Sequence, residues 1–226
     1  MASEDEFRWP PLESNPEVFT NYLHQLGLPT DWVVGEVFGL DEDSLGFVPQ
    51  PVLAVILTYQ ESADSNAPTK AAPRGEVDFY MKQTPVLDYA CGLVACLHSV
   101  LNNLDSIHLV KGSILDRYYQ AVKTHSPLER ATTLESMEDF HQVHNSYAAQ
   151  GQSSVPSQAG EVTHHFIAFV RNTHGQLIEV DGQGPFIVHP ACSDILKDTA
   201  ALLRARLEAG VYSQSLAVLT LHQDSN

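Results

Sequence analysis

Cys91 stands between Ala90 and Gly92 at the head of an apolar run, Leu93-Val94-Ala95-Cys96-Leu97, a placement that suits a nucleophilic thiol. A thiol at a helix N-terminus feels the positive end of the macrodipole and a set of free N–H groups, and both favour the thiolate. The small neighbours leave room for a substrate backbone. A cysteine there can equally be a small core residue, so the nucleophile reading needs a base. Cys96 lies on another face of the same helix, and Cys192 follows Pro190-Ala191 with no base nearby in sequence. Both read as structural.

Eleven histidines offer several bases. His164 and His165 sit in a strand pattern and point to opposite faces, so one of them can reach a thiol while the other faces away. The returning strand ends Glu179-Val180-Asp181-Gly182, which brings a carboxylate back towards the histidines. Asp181 can then accept the Nδ1–H of the base and fix its tautomer. Glu179 shares the strand face of Asp181, so parity leaves both open. A metal is the other use for such groups. His141 and His144 have one-turn spacing, but Cys-x-x-Cys and His-Glu-x-x-His are both missing, and four suitably placed zinc ligands are not evident.

For these groups to meet, the chain must supply a buried helix, a hairpin and a sheet. A helix is predicted from a Ser14 or Asn15 cap, with Pro16 at N1, through Leu28, because Val18, Phe19, Tyr22, Leu23 and Leu26 recur at helical spacing. Strands are predicted around Trp32–Phe38, Val52–Tyr59 and Val77–Met81, with an acidic turn at Leu40–Ser44. Gln60–Gly75 lacks periodicity and reads as a surface loop. Cys91–Asn102 reads as a buried helix with Leu93, Val94, Leu97, Val100 and Leu101 on one face, and two or three more helices fit Ser113–His144. Asn145–Gly160 is long, small and polar, as functional loops are. Val162–Arg171 and Gln176–Val180 read as a hairpin about Asn172–Gly175, followed by a helix over Asp194–Glu208 and a strand over Ser215–Leu221. The fold class expected is α+β, with helices packed around a mainly antiparallel sheet.

A chain of 226 residues fits a single domain, 1–226. At that size it buries roughly 70–75% of its unfolded surface and needs no disulfides. Three unevenly spaced cysteines suit a reducing compartment. The acidic start, Met1-Ala2-Ser3-Glu4-Asp5-Glu6, is unlike a basic leader, and the apolar run Val52–Leu57 is too short to span a bilayer. A soluble, monomeric protein of the cytoplasm, and also of the nucleus, is expected. The formal net charge of −16, from 12 basic and 28 acidic residues, disfavours nucleic acid and anionic membranes and favours basic partners.

Along nearly its whole length the chain resembles the ubiquitin C-terminal hydrolase family in its short, single-domain form. Trp9-Pro10-Pro11-Leu12-Glu13-Ser14-Asn15-Pro16 is similar to the family's opening segment. Phe79–Thr84 with Ala90-Cys91-Gly92 is similar to its nucleophile segment, and His98–Asn103 to the rest of that helix. His165–Val170 resembles its histidine strand and Leu177–Gly182 its aspartate segment. The resemblance implies a papain-like fold with a knotted chain path. It also implies that His165 rather than His164 is the base, that Asp181 rather than Glu179 orients it, and that Gln83 is the oxyanion donor. Residues 145–160 then correspond to the crossover loop over the active site.

One departure stands out. Members usually place the glutamine six residues before the cysteine, whereas Gln83 lies eight before Cys91, with Pro85 at the sixth position and Tyr89 where Asn is expected. Proline has no side-chain donor and no N–H. The expectation is that Pro85–Asp88 bulges and leaves Gln83 in place.

The function implied is a cysteine-type ubiquitinyl hydrolase that cleaves small adducts or short peptides from the C-terminal glycine of ubiquitin, with no cofactor and no metal. Pro11, Leu12, Glu13, Ser14, Asn15, Pro16, Tyr212 and Ser215 are the expected ubiquitin contacts. The alternatives are a catalytically weak ubiquitin-binding or stabilising protein and a hydrolase of the ubiquitin-like modifier Nedd8.

Overall fold

Alternation of side chains along the strands sets the architecture. Ala54 and Ile56, Phe166, Ala168 and Val170, Ile178 and Val180, and Leu219 and Leu221 face one hydrophobic core. Their neighbours Val55 and Leu57, Ile167 and Phe169, Leu177 and Val218 face a second. A sheet buried on both faces needs helices on both. The computed structural model describes residues 8–60, 76–150, 164–212 and 215–224.

Among these residues six strands form one sheet in the order β1-β6-β2-β3-β4-β5: β1 Trp32–Glu36, β2 Val52–Gln60, β3 His164–Arg171, β4 Gln176–Val180, β5 Ile187–Ala191 and β6 Leu216–Gln223. Every pairing is antiparallel. The larger core is covered by α1 (Pro16–Leu26), α3 (Cys91–Leu101), α4 (Ile114–Val122), α5 (Pro127–Glu135) and α6 (Glu138–Ala148). The smaller core lies under α7 (Ile195–Glu208) and the short α2 (Glu42–Leu45). The α+β expectation holds.

The caps explain the helix starts. Asn15 accepts from the N–H groups of Glu17 and Val18, Pro16 occupies the first turn, and Gly27 ends α1 at φ 118°. Asp194 caps α7 in the same way. The acidic segment Leu40–Ser44 is not a plain turn, because Asp41 accepts from the Ser44 N–H and starts α2. Asn145–Ala148 belongs to α6 rather than to a loop, while 151–160 and 61–75 lie outside the described residues.

Two other expectations need correction. Val77–Met81 is not a strand. The Asn102 side chain accepts from the Phe79 N–H and donates to its carbonyl, and His98 Nε2 accepts from the Met81 N–H, so α3 side chains take the place of a ladder. β5 was not foreseen; its Pro190 is tolerable because β5 is an edge strand. Helix α3 buries all eleven of its residues rather than one face.

Candidate active site

Cys91 is the first residue of α3, and Ala90 before it offers no side-chain acceptor to the first-turn N–H groups. Those donors are therefore left for a substrate oxygen. Gly92 lies tight against Phe19 and Phe166, and a Cβ there would stand 3.3 Å from the Phe19 ring. The helix start is thereby pinned to α1 and β3.

His165 is the second residue of β3 and is buried, whereas His164 before it is exposed, as strand alternation requires. The β3–β4 pairing stops at Ala168–Val180, before His165 is reached. Beyond that point β4 runs into Asp181 and Gly182, and Gly182 packs so closely on α3 that a Cβ would stand 2.8 Å from Val94. Three segments therefore meet where the two strands part.

The imidazole Nε2–H donates to Asp181 Oδ1 at 2.8 Å. The same oxygen accepts from the Gln183 N–H at 2.9 Å, which fixes the carboxylate. This corrects the expectation that Asp181 holds Nδ1. With Nε2 engaged, Nδ1 is the nitrogen available to Cys91. Burial alone would push the imidazole down, but hydrogen bonds with Asp181 and Cys91, and their negative charges, hold it up at about 9. The group can thus carry a proton at neutral pH.

Glu179 faces another task. Its Oε2 accepts from Arg206 at 2.6 Å and from His189 at 3.1 Å, on the face covered by α7. Cys96 and Cys192 are buried, and burial pushes both thiols up. His144, the other clustered histidine, donates Nε2–H to the Pro10 carbonyl at 2.7 Å and accepts from the Tyr22 hydroxyl at 3.1 Å. It fastens the N-terminal segment. Among the described residues no group of His, Cys, Asp and Glu could hold a metal ion.

Gln83 is reached by an unexpected route. Its N–H donates to the Gly182 carbonyl at 2.7 Å, which draws it to the aspartate segment. Pro85–Leu87 forms a 3-10 turn that absorbs the longer spacing. The Gln83 amide, however, donates to the carbonyls of Leu87 at 2.9 Å and Asp88 at 2.8 Å. An amide has two N–H hydrogens, and both are used within the insertion. The bulge exists and Gln83 stays beside the aspartate segment, but the carbonyls of the bulge hold the amide expected to serve as oxyanion donor.

The expected ubiquitin contacts divide by burial. Pro11, Glu13, Ser14, Asn15 and Pro16 are partly exposed and Ser215 is exposed, while Leu12 and Tyr212 are buried in the two cores. Ser14 reaches Thr58 of β2 at 3.4 Å, so this segment runs past the strand end that carries Tyr59. Tyr59 itself escaped sequence reading. It pairs with His165 across β2–β3, and the rings meet edge-on at 5.9 Å. The apolar run of β2 hid it, since only register reveals the pairing.

A family model described as ubiquitin carboxyl-terminal hydrolase, family 1, matches residues 9–208. A Drosophila melanogaster ubiquitin carboxyl-terminal hydrolase is 38% identical over 208 residues, covering 87% of this chain and 89% of its own. The human ubiquitin carboxyl-terminal hydrolase isozyme L1 is 34% identical over 204 residues, covering 86% and 89%. Among solved structures, the Trichinella spiralis UCH37 catalytic domain bound to ubiquitin vinyl methyl ester has the same fold, with TM-score 0.74, 20% identity and 99% of each chain covered.

Proposed function

The chain belongs to the ubiquitin carboxyl-terminal hydrolase family, and we propose that Cys91, His165 and Asp181 are the groups with which it acts. It is a thiol-dependent deubiquitinating hydrolase. The single observation that carries the residue assignment is an imidazole whose far nitrogen donates to a buried carboxylate at 2.8 Å and which is electrostatically coupled to the helix-start thiol of Cys91.

In this reading the Cys91 sulfur, as thiolate, attacks the carbonyl carbon of ubiquitin's C-terminal glycine. The negative charge that develops on the carbonyl oxygen meets the Cys91 backbone N–H and the positive end of α3. Protonated His165 gives its Nδ1 proton to the departing amine, and the C–N bond breaks to leave a thioester. His165, now neutral, takes a proton from water, whose oxygen attacks the thioester carbon and releases the thiolate. Asp181 keeps the ring in place through both steps and supports its positive charge. Gln83 can join the oxyanion site only when its amide leaves the Leu87 and Asp88 carbonyls.

We take ubiquitin as the partner, bound as in the solved structure with ubiquitin vinyl methyl ester. Pro11–Pro16, Ser215 and the Tyr212 segment are the docking region. A net charge of −16 favours approach of ubiquitin's arginine-bearing tail. Small adducts and short peptides are the leaving groups, and three free thiols fit a reducing compartment such as the cytoplasm or nucleus. Release of a fluorescent amine from the C-terminus of ubiquitin, run beside the Nedd8 equivalent, tests the substrate. Faster turnover of the ubiquitin substrate is expected, and preference for Nedd8 would reassign the partner.

A further inference from the structure

A buried ion pair stands next to the catalytic ring without touching it. Glu179 lies on β4, two residues before Asp181, and Arg206 lies in the last turn of α7. Arg206 Nη2 donates to Glu179 Oε2 at 2.6 Å, and its Nη1 donates to the Tyr212 hydroxyl at 2.6 Å. The guanidinium carbon lies 5.6 Å from the centre of the Tyr212 ring. Tyr212 packs on Tyr59 with ring centres 4.7 Å apart, and Tyr59 meets His165 edge-on. A continuous path thus runs from Glu179 through Arg206, Tyr212 and Tyr59 to the imidazole.

Burying two charges is costly, and well-packed apolar residues usually serve stability as well. Both groups are nonetheless charged. Burial would raise the Glu179 carboxyl, but hydrogen bonds from His189 and Arg206 keep it below its ordinary value. Burial would lower Arg206, but the hydrogen bond to Glu179 and its charge keep it raised. What the pair supplies is direction. A guanidinium fork offers two fixed N–H vectors, here used to tie a strand residue and a tyrosine hydroxyl to one point. Tyr59 is also paired with Leu216 of β6 and with His165 of β3, so the tyrosine that Arg206 holds leans on the residue between both strands.

We propose that Arg206 is a positioning residue for the hydrolysis: anchored by Glu179, it fixes Tyr212 against Tyr59 and so sets the orientation of the His165 ring toward Cys91. The inference rests on the reading of Cys91 and His165 as nucleophile and base.

Removing Arg206 alone leaves a buried carboxylate behind, so Arg206→Met is compared with the double variant Glu179→Gln/Arg206→Met, in which neither charge remains. Tyr212→Phe removes only the hydroxyl that accepts from Arg206 and keeps the ring. These variants, the wild type and Cys91→Ala are first checked by circular dichroism. All are then assayed for fluorescent amine release from ubiquitin, and those that retain Cys91 are assayed in parallel for the pH dependence of iodoacetamide alkylation at that thiol. Both Arg206 variants are expected to lose about 10–10²-fold in kcat with a smaller change in KM, and Tyr212→Phe to lose less in the same direction. The alkylation profile is expected to shift, because a turned imidazole no longer bears on the thiol. Wild-type kcat and an unshifted profile in the folded double variant, or in Tyr212→Phe if the double variant does not fold, overturn the positioning role. Full activity of Cys91→Ala, read with Arg206 intact, would instead overturn the nucleophile assignment.

Discussion

His165 donates Nε2–H to Asp181 at 2.8 Å while the two residues are 5% and 3% exposed, so the imidazole is tied at one nitrogen in a site nearly closed to water. The tie decides which nitrogen meets the thiol, and the low exposure makes the tie electrostatically strong. Asparagine at 181 can still accept from Nε2–H but carries no charge. Asp181→Asn is therefore expected to lower kcat by about 10–10²-fold, less than the loss of a whole acid–base group. A pH profile of kcat/KM for the variant checks it: the basic limb should move down from its wild-type position.

That wild-type position follows from the imidazole itself. His165 is held at about 9, above its ordinary 6.5, by Asp181 and Cys91 against the opposing effect of burial. The folded protein binds this proton more tightly than the unfolded chain. Its stabilising contribution is full below pH 6.5 and is lost as pH rises through 9. Activity that needs protonated His165 should decline over the same upper range, with the thiol and imidazole titrating as a pair. Replacing Cys91 by Ala removes one of the two supports. Imidazole NMR should then report a lower His165 titration point, and an unchanged one would mean the thiol does not bear on the ring.

Strand parity gives a sharper contrast. His164→Asn is expected to leave kcat within a few-fold of wild type, while His165→Asn should lose about 10²–10⁴-fold, the range of general acid–base catalysis. His164 is exposed and its Nε2 lies 3.3 Å from Ser215 Oγ, so its loss can weaken docking and raise KM. Equal and severe falls in kcat would show that both rings serve the site.

Gln83 tests the consequence of the longer spacing. A preorganised oxyanion donor contributes about 10²–10³ to kcat. Here both amide hydrogens are already taken by the Leu87 and Asp88 carbonyls, so the donor must first be released. Gln83→Ala is expected to cost less than about tenfold in kcat, below the range of a preorganised donor. A loss of about 10² or more would show that the amide leaves the turn in the transition state.

Acid should act on the two buried neutral histidines. Burial pushes His98 and His144 down to about 4; His98 accepts the Met81 N–H, which also favours its neutral ring, while the bond His144 donates to the Pro10 carbonyl does not offset burial. Between pH 6.5 and 4 the unfolded chain binds protons that the folded one refuses, so stability falls as pH falls. Each group contributes a loss of about 2 kcal/mol between neutral pH and pH 5. Urea titrations at the two pH values should show it. For His98 the effect is local as well, since its Nε2 accepts the Met81 N–H just ahead of Gln83.

Much of this site was legible in the residues. The Asn15-Pro16 start of α1, the apolar run after Cys91 and the two-residue alternation at His164-His165 are local patterns, and the structure follows them. Other features depend on partners far along the chain. Val77–Met81 alternates like a strand but gives its backbone groups to Asn102 and His98. Nothing near His165 in sequence shows that Nε2 rather than Nδ1 meets Asp181, because that depends on where β3 and β4 part. The Gln83 insertion was visible as a spacing, but the direction of its carbonyls belongs to the folded turn. Arg206 lies in the predicted helix Asp194–Glu208, and no local pattern marks it as the partner of Glu179 on a distant strand.

The proposed role of Cys91, activated by His165 and held in line by Asp181, is to perform the hydrolysis. Its most direct measurement is the rate of fluorescent amine release from the C-terminus of ubiquitin by wild type and Cys91→Ala, together with the binding of ubiquitin to each. The prediction is measurable turnover by the wild type, none above background by Cys91→Ala, and similar ubiquitin affinity for both. Turnover by Cys91→Ala at the wild-type rate would contradict it.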